Sequence, residues 1–309
     1  MENILHSSTS NTLYFGDNLK IMQQLKSESI ALIYMDPPFF TNTIKKYLNK
    51  DNQILSYRDD WNNNLPEYLS WLEKRMIEMY RLLKKNGSIF LHCDWHASHY
   101  IKTLLDKIFG YTKFQNEIIW HYTGGGRSQR RFSRKHDSIF WYTKTDKYTF
   151  NINSIRTSYA PNSGYAKSGI VAKSGKHYSP HPLGTPFDNV WDIPIINPLA
   201  NERTGYPTQK PIELLQRIID ACSNPNDLVA DFTCGSGSFI AAAAGFRQKR
   251  STKAKPSIQY SPENNRYWIG CDNSKLAVNL TYERIKDLYS NLAPSQLKNY
   301  LPAIEDGNS

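Results

Sequence analysis

Short continuous apolar runs that end in an acidic or polar residue are the main pattern along this chain. The clearest is Ile30-Ala31-Leu32-Ile33-Tyr34-Met35, which is followed directly by Asp36. Six continuous apolar residues predict a strand that is buried on both faces, as in a parallel sheet. Shorter runs predict further strands at 11–15, 88–91, 116–122, 136–142, 228–230 and 267–271.

Apolar residues at intervals of three and four predict helices between these strands. The longest such pattern begins with Pro66 in its first turn and has Gly87 as its C-terminal stop. Other helices are predicted at 19–25, 211–222, 238–244 and 275–289, and the residues after 289 are predicted to be a tail. The two strands at 116–122 and 136–142 are so close that they predict an antiparallel hairpin at the sheet edge.

Three stretches lack apolar periodicity. Residues 41–64 are polar and rich in lysine, which predicts either a functional lid or disorder. In residues 143–203 Ser, Gly, Pro, Tyr and Lys dominate, so we interpret them as an inserted, loop-rich subdomain within one domain formed by 1–142 and 204–309. Residues 247–265 are predicted to be an exposed, mobile loop, with DNA contact as a secondary interpretation.

The charge of the chain is concentrated in one region. The net charge is +10, and 39% hydrophobic content is typical of a globular protein. Residues 121–203 contain twelve Lys or Arg against five Asp or Glu, which favours a polyanionic partner such as nucleic acid over a solvated basic loop. The candidate phosphate contacts are Lys45, Lys46, Arg127, Arg130, Arg131, Arg134 and Lys135.

The cysteine and histidine pattern argues against a metal centre. Cys93, Cys222, Cys234 and Cys271 show no C-x-x-C spacing, which is typical of reduced thiols in a cytoplasmic protein. The stretch 92–99 contains three histidines and one cysteine, but His92 and Cys93 adjoin at a strand end and point in opposite directions. We therefore predict no metal. The sequence shows no signal-peptide pattern and no apolar run of about 20 residues, so it predicts no membrane association.

The residues Asp36-Pro37-Pro38-Phe39 place unusual chemistry at a strand end. Two prolines stop sheet pairing and stiffen the turn, because a prolyl ring fixes φ and leaves no N–H to donate. The turn then presents a carboxylate, bare carbonyl oxygens and a flat aromatic ring. A planar ligand that carries an NH2 group fits such a site, although an Asp-Pro turn that only caps a strand is the simpler alternative.

A second candidate site follows the strand at 228–230. Asp231 precedes the tight turn Gly235-Ser236-Gly237, and glycines allow a ligand to approach the backbone closely. A dinucleotide-binding turn would need a third glycine, where Ile240 stands. Asp272 ends the following strand, where an acid suits ribose hydroxyls.

The Asp-Pro-Pro-Phe tetrapeptide resembles the catalytic motif of the amino-methyltransferases that modify adenine N6 or cytosine N4 in DNA. The stretch from Asp231 to Ser238 resembles the S-adenosylmethionine motif of that family, with Phe232 where members often have Pro. The run 207–211, Pro-Thr-Gln-Lys-Pro, is nearly identical to a family motif. The order of catalytic motif, recognition insert and cofactor motif is similar to the β-class, a circular permutation of the methyltransferase fold.

The resemblance implies a doubly wound α/β fold with a mostly parallel seven-stranded sheet, helices on both faces and one antiparallel edge hairpin. It implies that Asp36 and the Pro37 carbonyl accept the two N–H bonds of a flipped-out base that stacks on Phe39, with Pro38 in the same motif. It implies that 143–203 is the target-recognition region. The implied S-adenosylmethionine-binding residues are Asp17, Asp36, Thr208, Gln209, Lys210, Asp231, Phe232, Gly235, Gly237, Ser238 and Asp272.

Three functions fit this resemblance. Adenine-N6 methylation of double-stranded DNA leads, because adenine enzymes usually have Asp at the first motif position and cytosine-N4 enzymes usually have Ser. Cytosine-N4 methylation is the alternative, and a non-catalytic DNA-binding protein on the same scaffold is the third. The resemblance leaves a homodimer and a cognate restriction endonuclease, as in restriction-modification, open as partners.

Overall fold

The structure of the chain is a computed structural model that describes residues 10–48, 54–124, 126–249, 257–290 and 302–307, without the side chains of 45–48, 54–58 and 249. The helices are α1 (Asn18–Gln24), α2 (Leu65–Leu82), α3 (Ser98–Phe109), α4 (Gly164–Ser168), α5 (Ile212–Cys222), α6 (Ser238–Ala243) and α7 (Lys275–Tyr289). The strands are β1 (Thr12–Phe15), β2 (Ile30–Met35), β3 (Thr43–Leu48), β4 (Ile54–Asp59), β5 (Leu83–Cys93), β6 (Phe114–His121), β7 (His136–Thr143), β8 (Arg156–Thr157), β9 (Ile170–Val171), β10 (His177–Tyr178), β11 (Thr185–Pro186), β12 (Val190–Asp192), β13 (Leu228–Asp231), β14 (Phe246–Lys249), β15 (Ser257–Tyr260), β16 (Tyr267–Asp272) and β17 (Ala303–Asp306).

One large sheet forms the centre of the molecule. Within the described residues its order is β12-β6-β7-β5-β2-β13-β16-β1-β17, and every strand except β7 runs in the same direction. The prediction of a mostly parallel α/β sheet is confirmed. The predicted number of seven strands is wrong, because β12 and β17 each add a strand at an edge.

Both additional strands come from segments where the sequence predicts none. β12 pairs with β6 through Val190–Asp192, so β12 is the edge strand. The prediction that the β6–β7 hairpin lies at the sheet edge is therefore wrong. β17 pairs with β1 and lies in what the sequence predicts to be a tail. Strands of three and four residues are too short to show an alternating pattern, and their partners are distant in sequence.

Helices cover both faces of the sheet. On one face α1, α2 and α3 pack through residues such as Met22, Met76 and Leu105. On the other face α5, α6 and α7 pack through residues such as Ile218 and Ile285. The two apolar clusters confirm the doubly wound arrangement.

Helix α2 shows how local sequence sets an element. The Asn64 side chain accepts a hydrogen bond from the Glu67 N–H and caps the helix, and Pro66 lies in the first turn as predicted. The predicted stop at Gly87 is wrong, because the helix ends at Leu82. Gly87 lies instead in β5, where a Cβ atom would be only 3.0 Å from the carbonyl oxygen of Ala31.

The segments without apolar periodicity are more ordered than the sequence predicts. β3 and β4 form an antiparallel hairpin within 41–64, and β14 and β15 form another within 247–265, although 49–53 and 250–256 lie outside the described residues. The Arg247 guanidinium is buried and bonded to Asp220 at 2.7 Å, so the second segment is not simply an exposed loop. In 143–203 the strands are two or three residues long, yet Trp191 and Ile193 join the core.

The carboxyl ends of β2, β13, β16 and β1 meet at one edge near the middle of the sheet. Open α/β sheets bind ligands just beyond this edge. No helix in the described ranges is both long and apolar enough to cross a bilayer.

Candidate active site

Asp36 is held at the carboxyl end of β2 by the neighbouring strand. β2 is fully buried and pairs with β13 in a register that sets Tyr34 beside Asp231. The backbone N–H of Asp36 donates to the Thr233 hydroxyl at 3.0 Å. The turn after β2 and the turn after β13 are therefore joined directly, as the two sequence motifs require if they form one site.

The two carboxylate oxygens of Asp36 have different environments. Lys210 Nζ lies 2.5 Å from Oδ2, and it also lies 5.1 Å from the centroid of the Phe39 ring. Oδ1 is buried, and none of the described residues donates a hydrogen bond to it. A buried acceptor without a donor costs free energy, so this atom is suited to a donor that a ligand brings.

The carbonyl groups of the two prolines also differ. The Pro38 carbonyl accepts a hydrogen bond from the Tyr68 hydroxyl at 2.7 Å. None of the backbone hydrogen bonds between described residues outside the helices and strands has the Pro37 carbonyl as its acceptor. The motif thus carries two acceptors, Asp36 Oδ1 and the Pro37 carbonyl, that receive no such hydrogen bond from the described residues.

Asp59 fixes the backbone that carries Phe39, a role that no sequence pattern indicates. Its carboxylate accepts from the backbone N–H groups of Phe39, Phe40 and Thr41 at 3.1, 3.1 and 2.8 Å. It also accepts from the Thr41 hydroxyl and from Trp61 Nε1. Phe40 has φ of +62°, a strained value for a residue with a side chain, so these hydrogen bonds hold an unfavourable turn in place.

A chain of buried polar side chains runs beneath the catalytic motif. The Tyr34 hydroxyl and His92 Nδ1 are 2.8 Å apart, and His92 Nε2 lies 3.1 Å from Asp137 Oδ2. The Tyr122 hydroxyl donates to Asp137 Oδ1 at 3.0 Å. Burial is the largest single effect and opposes ionisation of Asp137, but His92, the Lys210 ammonium and the hydrogen bond from Tyr122 together lower the pKa of that carboxyl.

The nitrogens of His92 are therefore used by neighbouring side chains of the core. No group of three His, Cys, Asp or Glu side chains in the part of the chain that the structure describes is placed to hold a metal ion. The four cysteines are buried and unpaired.

A cavity extends from Asp36 along the ends of β13, β16 and β1. Asp36, Pro38 and Tyr34 lie at one end of it. The predicted cofactor residues that line it are Asp17, Asp36, Thr208, Lys210, Asp231, Phe232, Gly235, Ser238 and Asp272. Trp71, Arg75 and Tyr206 also line it, and the sequence did not single them out.

Two buried carboxyl groups face this cavity. Asp231 Oδ1 accepts from the Thr233 N–H, and Asp272 accepts from the N–H groups of Gly235 and Ser274. Burial raises the pKa of Asp231 to about 8 and the pKa of Asp272 to about 6. The ionised form of a buried acid is favoured when a cationic or hydroxyl-bearing ligand binds beside it.

The glycine turn allows a close approach at the same place. Gly235 and Gly237 have φ of +50° and +71°, which favours glycine. A Cβ on Gly235 would be 3.2 Å from the Tyr206 ring, and one on Gly237 would be 2.7 Å from Thr281. Gly235 thus borders the cavity, whereas Gly237 permits α7 to pack against the turn.

Asp17 is engaged by a protein partner at the far end of the cavity. Its carboxylate accepts from Arg75 Nη2 at 3.0 Å, and its Oδ1 caps α1 through the Leu19 N–H. Arg75 also bonds Asn18 and lies 4.0 Å above the Trp71 ring. Arg75 and Trp71 fall within an amphipathic helix, where periodicity alone cannot distinguish a surface residue from one that borders a ligand.

The remaining predicted residues with described side chains do not line the cavity. Gln209 holds the preceding turn, because its side chain bonds Thr204 and the Glu202 carbonyl. Lys45 and Lys46 are in β3, and their side chains are outside the described residues. Arg127, Arg130, Arg131 and Arg134 are exposed between β6 and β7, and Lys135 Nζ contacts the Gly124 and Gly126 carbonyls.

The family model for DNA methylases of the N6 and N4 type matches residues 30–283, which contain both motifs and most of the sheet. The chain belongs to the S-adenosylmethionine-dependent DNA amino-methyltransferases. The type II methyltransferase M.HpaI of Haemophilus parainfluenzae is 32% identical over 73% of this chain and 64% of its own length. The DNA adenine methyltransferase YhdJ of Escherichia coli K12 is 31% identical over 74% of this chain and 72% of its own length.

A solved structure shares the fold of this chain. The cytosine-N4-specific PvuII DNA methyltransferase matches with a TM-score of 0.57 and 18% identity, over 99% of each chain. The family cofactor suits the residues that line the cavity of this methyltransferase. S-adenosylmethionine carries a sulfonium group, an ammonium group and ribose hydroxyls, and the cavity presents buried carboxyl groups that can attract or accept hydrogen bonds from such groups.

Proposed function

We propose that this methyltransferase modifies the N6 amino group of an adenine that is flipped out of double-stranded DNA. The observation that carries the proposal is the pair of open acceptors, Asp36 Oδ1 and the Pro37 carbonyl, next to the Phe39 ring. An exocyclic amine has two N–H bonds, and a base has a flat face. The acceptors and the ring satisfy both needs at once.

The chemistry requires a better nucleophile than a free adenine amine. S-adenosylmethionine supplies an electrophilic methyl group when it is bound. Asp36 and the Pro37 carbonyl accept the two N–H bonds and favour a pyramidal nitrogen whose lone pair is directed away from the ring. Because the Lys210 ammonium contacts Oδ2, Asp36 acts as an orienting and stabilising group and need not take a full proton.

Different residues around the cavity bind different parts of the cofactor. Asp231 offers a carboxyl to positive charge, and Asp272 offers one to hydroxyl groups. Gly235 leaves room for close approach. Asp17 keeps lone pairs for the amino group of the cofactor's adenine, and Thr208 and Lys210 border the methionine end of the cofactor. Residues 143–203 act as the target-recognition region.

Adenine is favoured over cytosine by two observations. The first motif position is Asp36, and a relative that covers most of this chain, YhdJ, is a DNA adenine methyltransferase. Cytosine N4 presents the same amine chemistry, and it is the alternative function.

Nucleoside mass spectrometry of DNA from cells that express the protein tests the proposal. We expect N6-methyladenine with the natural chain and none with Asp36→Ala. Asp146→Ala is a matched control, because its exposed carboxylate follows β7 at the opposite edge of the sheet. Detection of N4-methylcytosine would show that the target base is cytosine and not adenine. Unmodified DNA in cells that contain the folded protein would refute the activity.

A further inference from the structure

Phe132 is the most exposed large hydrophobic side chain among the described residues, with 99% of its surface accessible. It lies between Arg131 and Ser133 in the loop that joins β6 to β7. A fully hydrated aromatic ring is unfavourable in an isolated protein. Its position therefore calls for a partner that removes the ring from water.

The loop that carries Phe132 leaves the sheet at the same edge as the catalytic motif. His121 at the end of β6 pairs with His136 at the start of β7, and the intervening residues extend beyond this edge. At the root of the loop the Tyr122 hydroxyl bonds Asp137, which bonds His92 beneath the catalytic motif. A short path of buried hydrogen bonds thus runs from the root of the loop to His92, and His92 Nδ1 lies 3.9 Å from Asp36 Oδ1.

A second contact orients the loop. The Arg134 guanidinium lies 3.3 Å from the centroid of the Trp95 ring, and Trp95 follows β5, the strand adjacent to β2. Near the other end Gly124 has φ of +104°, a conformation that favours glycine. The exposed ring is held on a segment that is anchored at its root and stacked at Arg134.

The charges around Phe132 identify the kind of partner. Arg130 and Arg131 precede the ring, and both guanidinium groups are exposed. Cations beside an apolar group disfavour burial of that group in a protein interior. DNA can bind the arginines and the ring together, because its phosphates lie outside and the apolar faces of its stacked bases lie inside.

We propose that Phe132 inserts into the base stack at the position that the target base vacates, while the adjacent arginines contact the flanking phosphates. The inference rests on the proposed function, since only a duplex substrate has a base to extrude. Extrusion breaks stacking on both sides of the target. A flat apolar ring restores that stacking and keeps the extruded base from returning.

The test uses a duplex that contains the methylated sequence found in DNA from expressing cells, with 2-aminopurine at the target position. The variants are Phe132→Ala and Phe132→Trp. Tyr111→Ala is the matched control, because this ring is 77% exposed but precedes β6 and lies at the opposite edge of the sheet. Binding, 2-aminopurine fluorescence and methylation are measured at several salt concentrations.

We expect Phe132→Ala to bind the paired duplex about tenfold more weakly and to lose the fluorescence increase, as for a lost stacking contact. Phe132→Trp should retain both. A mismatch opposite the target lowers the cost of extrusion, so binding by Phe132→Ala should return to that of the natural chain. The salt dependence should stay unchanged, because no charge is removed.

Several outcomes would overturn the inference. Equal losses on paired and mismatched duplexes would make Phe132 an ordinary groove contact, and full activity of Phe132→Ala would remove any role in DNA. A changed oligomeric state with unchanged DNA binding would show that the ring contacts a second copy of the chain. If the natural chain methylates no duplex, the proposed function is wrong, and this inference is then wrong as well.

Discussion

Lys210 Nζ lies 2.5 Å from Asp36 Oδ2, and this contact joins the catalytic motif to the turn before α5. Only 9% and 16% of the two side chains are exposed. The contact leaves Asp36 with a single open oxygen and places a positive charge next to the Phe39 ring. The Pro-Thr-Gln-Lys-Pro motif thus bears on the catalytic residue as well as on the cavity.

A double-mutant cycle should show that the two charges depend on each other. Removing one partner leaves the other buried without its counter-charge, so Lys210→Met and Asp36→Asn should each lower the free energy of unfolding by about 3 kcal/mol. The double variant leaves no unpaired charge and should be less destabilised than the sum of the two. Urea unfolding measures all four proteins, and strictly additive losses would mean that the pair is not coupled.

Asp59→Asn should separate the position of Phe39 from the stability of the cofactor site. The amide keeps an oxygen for Phe40 and Trp61, but its NH2 group faces the N–H groups of Phe39 and Thr41. A displaced ring misaligns the target base, so kcat should fall by about ten- to a hundredfold. The affinity for S-adenosylmethionine should not change.

The adjacent carboxylate provides a control for this variant. Asp60→Asn alters the same loop and leaves the hydrogen bonds to Phe39 intact, so its kcat should remain close to that of the natural chain. Single-turnover methylation and calorimetric titration give the two quantities. A loss of cofactor affinity equal to the loss of rate would show that Asp59 only supports the fold.

The elements that the sequence predicts best are those whose signal is local and strong. β2 and α7 have the predicted bounds, because one is a continuous apolar run and the other has sustained helical periodicity. Asp36, Asp231 and Asp272 line one cavity because each lies at the carboxyl end of a parallel strand, and such strands end at the same edge.

The features that the sequence did not predict depend on contacts between distant residues. Asp59 is 20 residues from Phe39, and Lys210 is 174 residues from Asp36. The pairing of β17 with β1 also joins opposite ends of the described chain. No local pattern encodes such contacts, so Asp59 appears in the sequence as one more polar residue in a loop.

The raised pKa of Asp231 makes stability and cofactor binding depend on pH. Burial raises this pKa to about 8, so the folded state retains a proton that the unfolded chain releases near pH 4. The resulting stabilisation is complete below pH 4 and is lost as the pH rises through about 8. The free energy of unfolding should therefore fall by up to about 1.4 kcal/mol per pH unit between pH 6.5 and 7.5.

Asp231→Asn removes this titration and should flatten the pH dependence of unfolding in that range. In the natural chain a bound cation favours the ionised carboxyl, so S-adenosylmethionine should bind more tightly as the pH rises from 6.5 to 8.5 and should release a proton. Calorimetry in buffers of different ionisation enthalpy detects that proton. Identical heats in all buffers would place Asp231 away from the cationic part of the ligand.

The basic loop between β6 and β7 should determine the salt dependence of DNA binding. Arg130 and Arg131 are exposed, and each phosphate contact releases counterions. Replacing both with Gln should reduce the slope of log affinity against log salt by about 1.8, since each contact contributes about 0.9. Target and scrambled duplexes should weaken alike, and the affinity for S-adenosylmethionine should not change.

A charge-matched variant distinguishes contact from net charge. Lys26 and Lys85 are exposed near the starts of β2 and β5, at the edge of the sheet opposite Asp36. Lys26→Gln with Lys85→Gln removes the same charge and should leave the slope nearly unchanged. If the arginines read bases, target affinity would fall while affinity for the scrambled duplex held. An unchanged slope in the arginine variant would show that the loop is solvated and makes no phosphate contact.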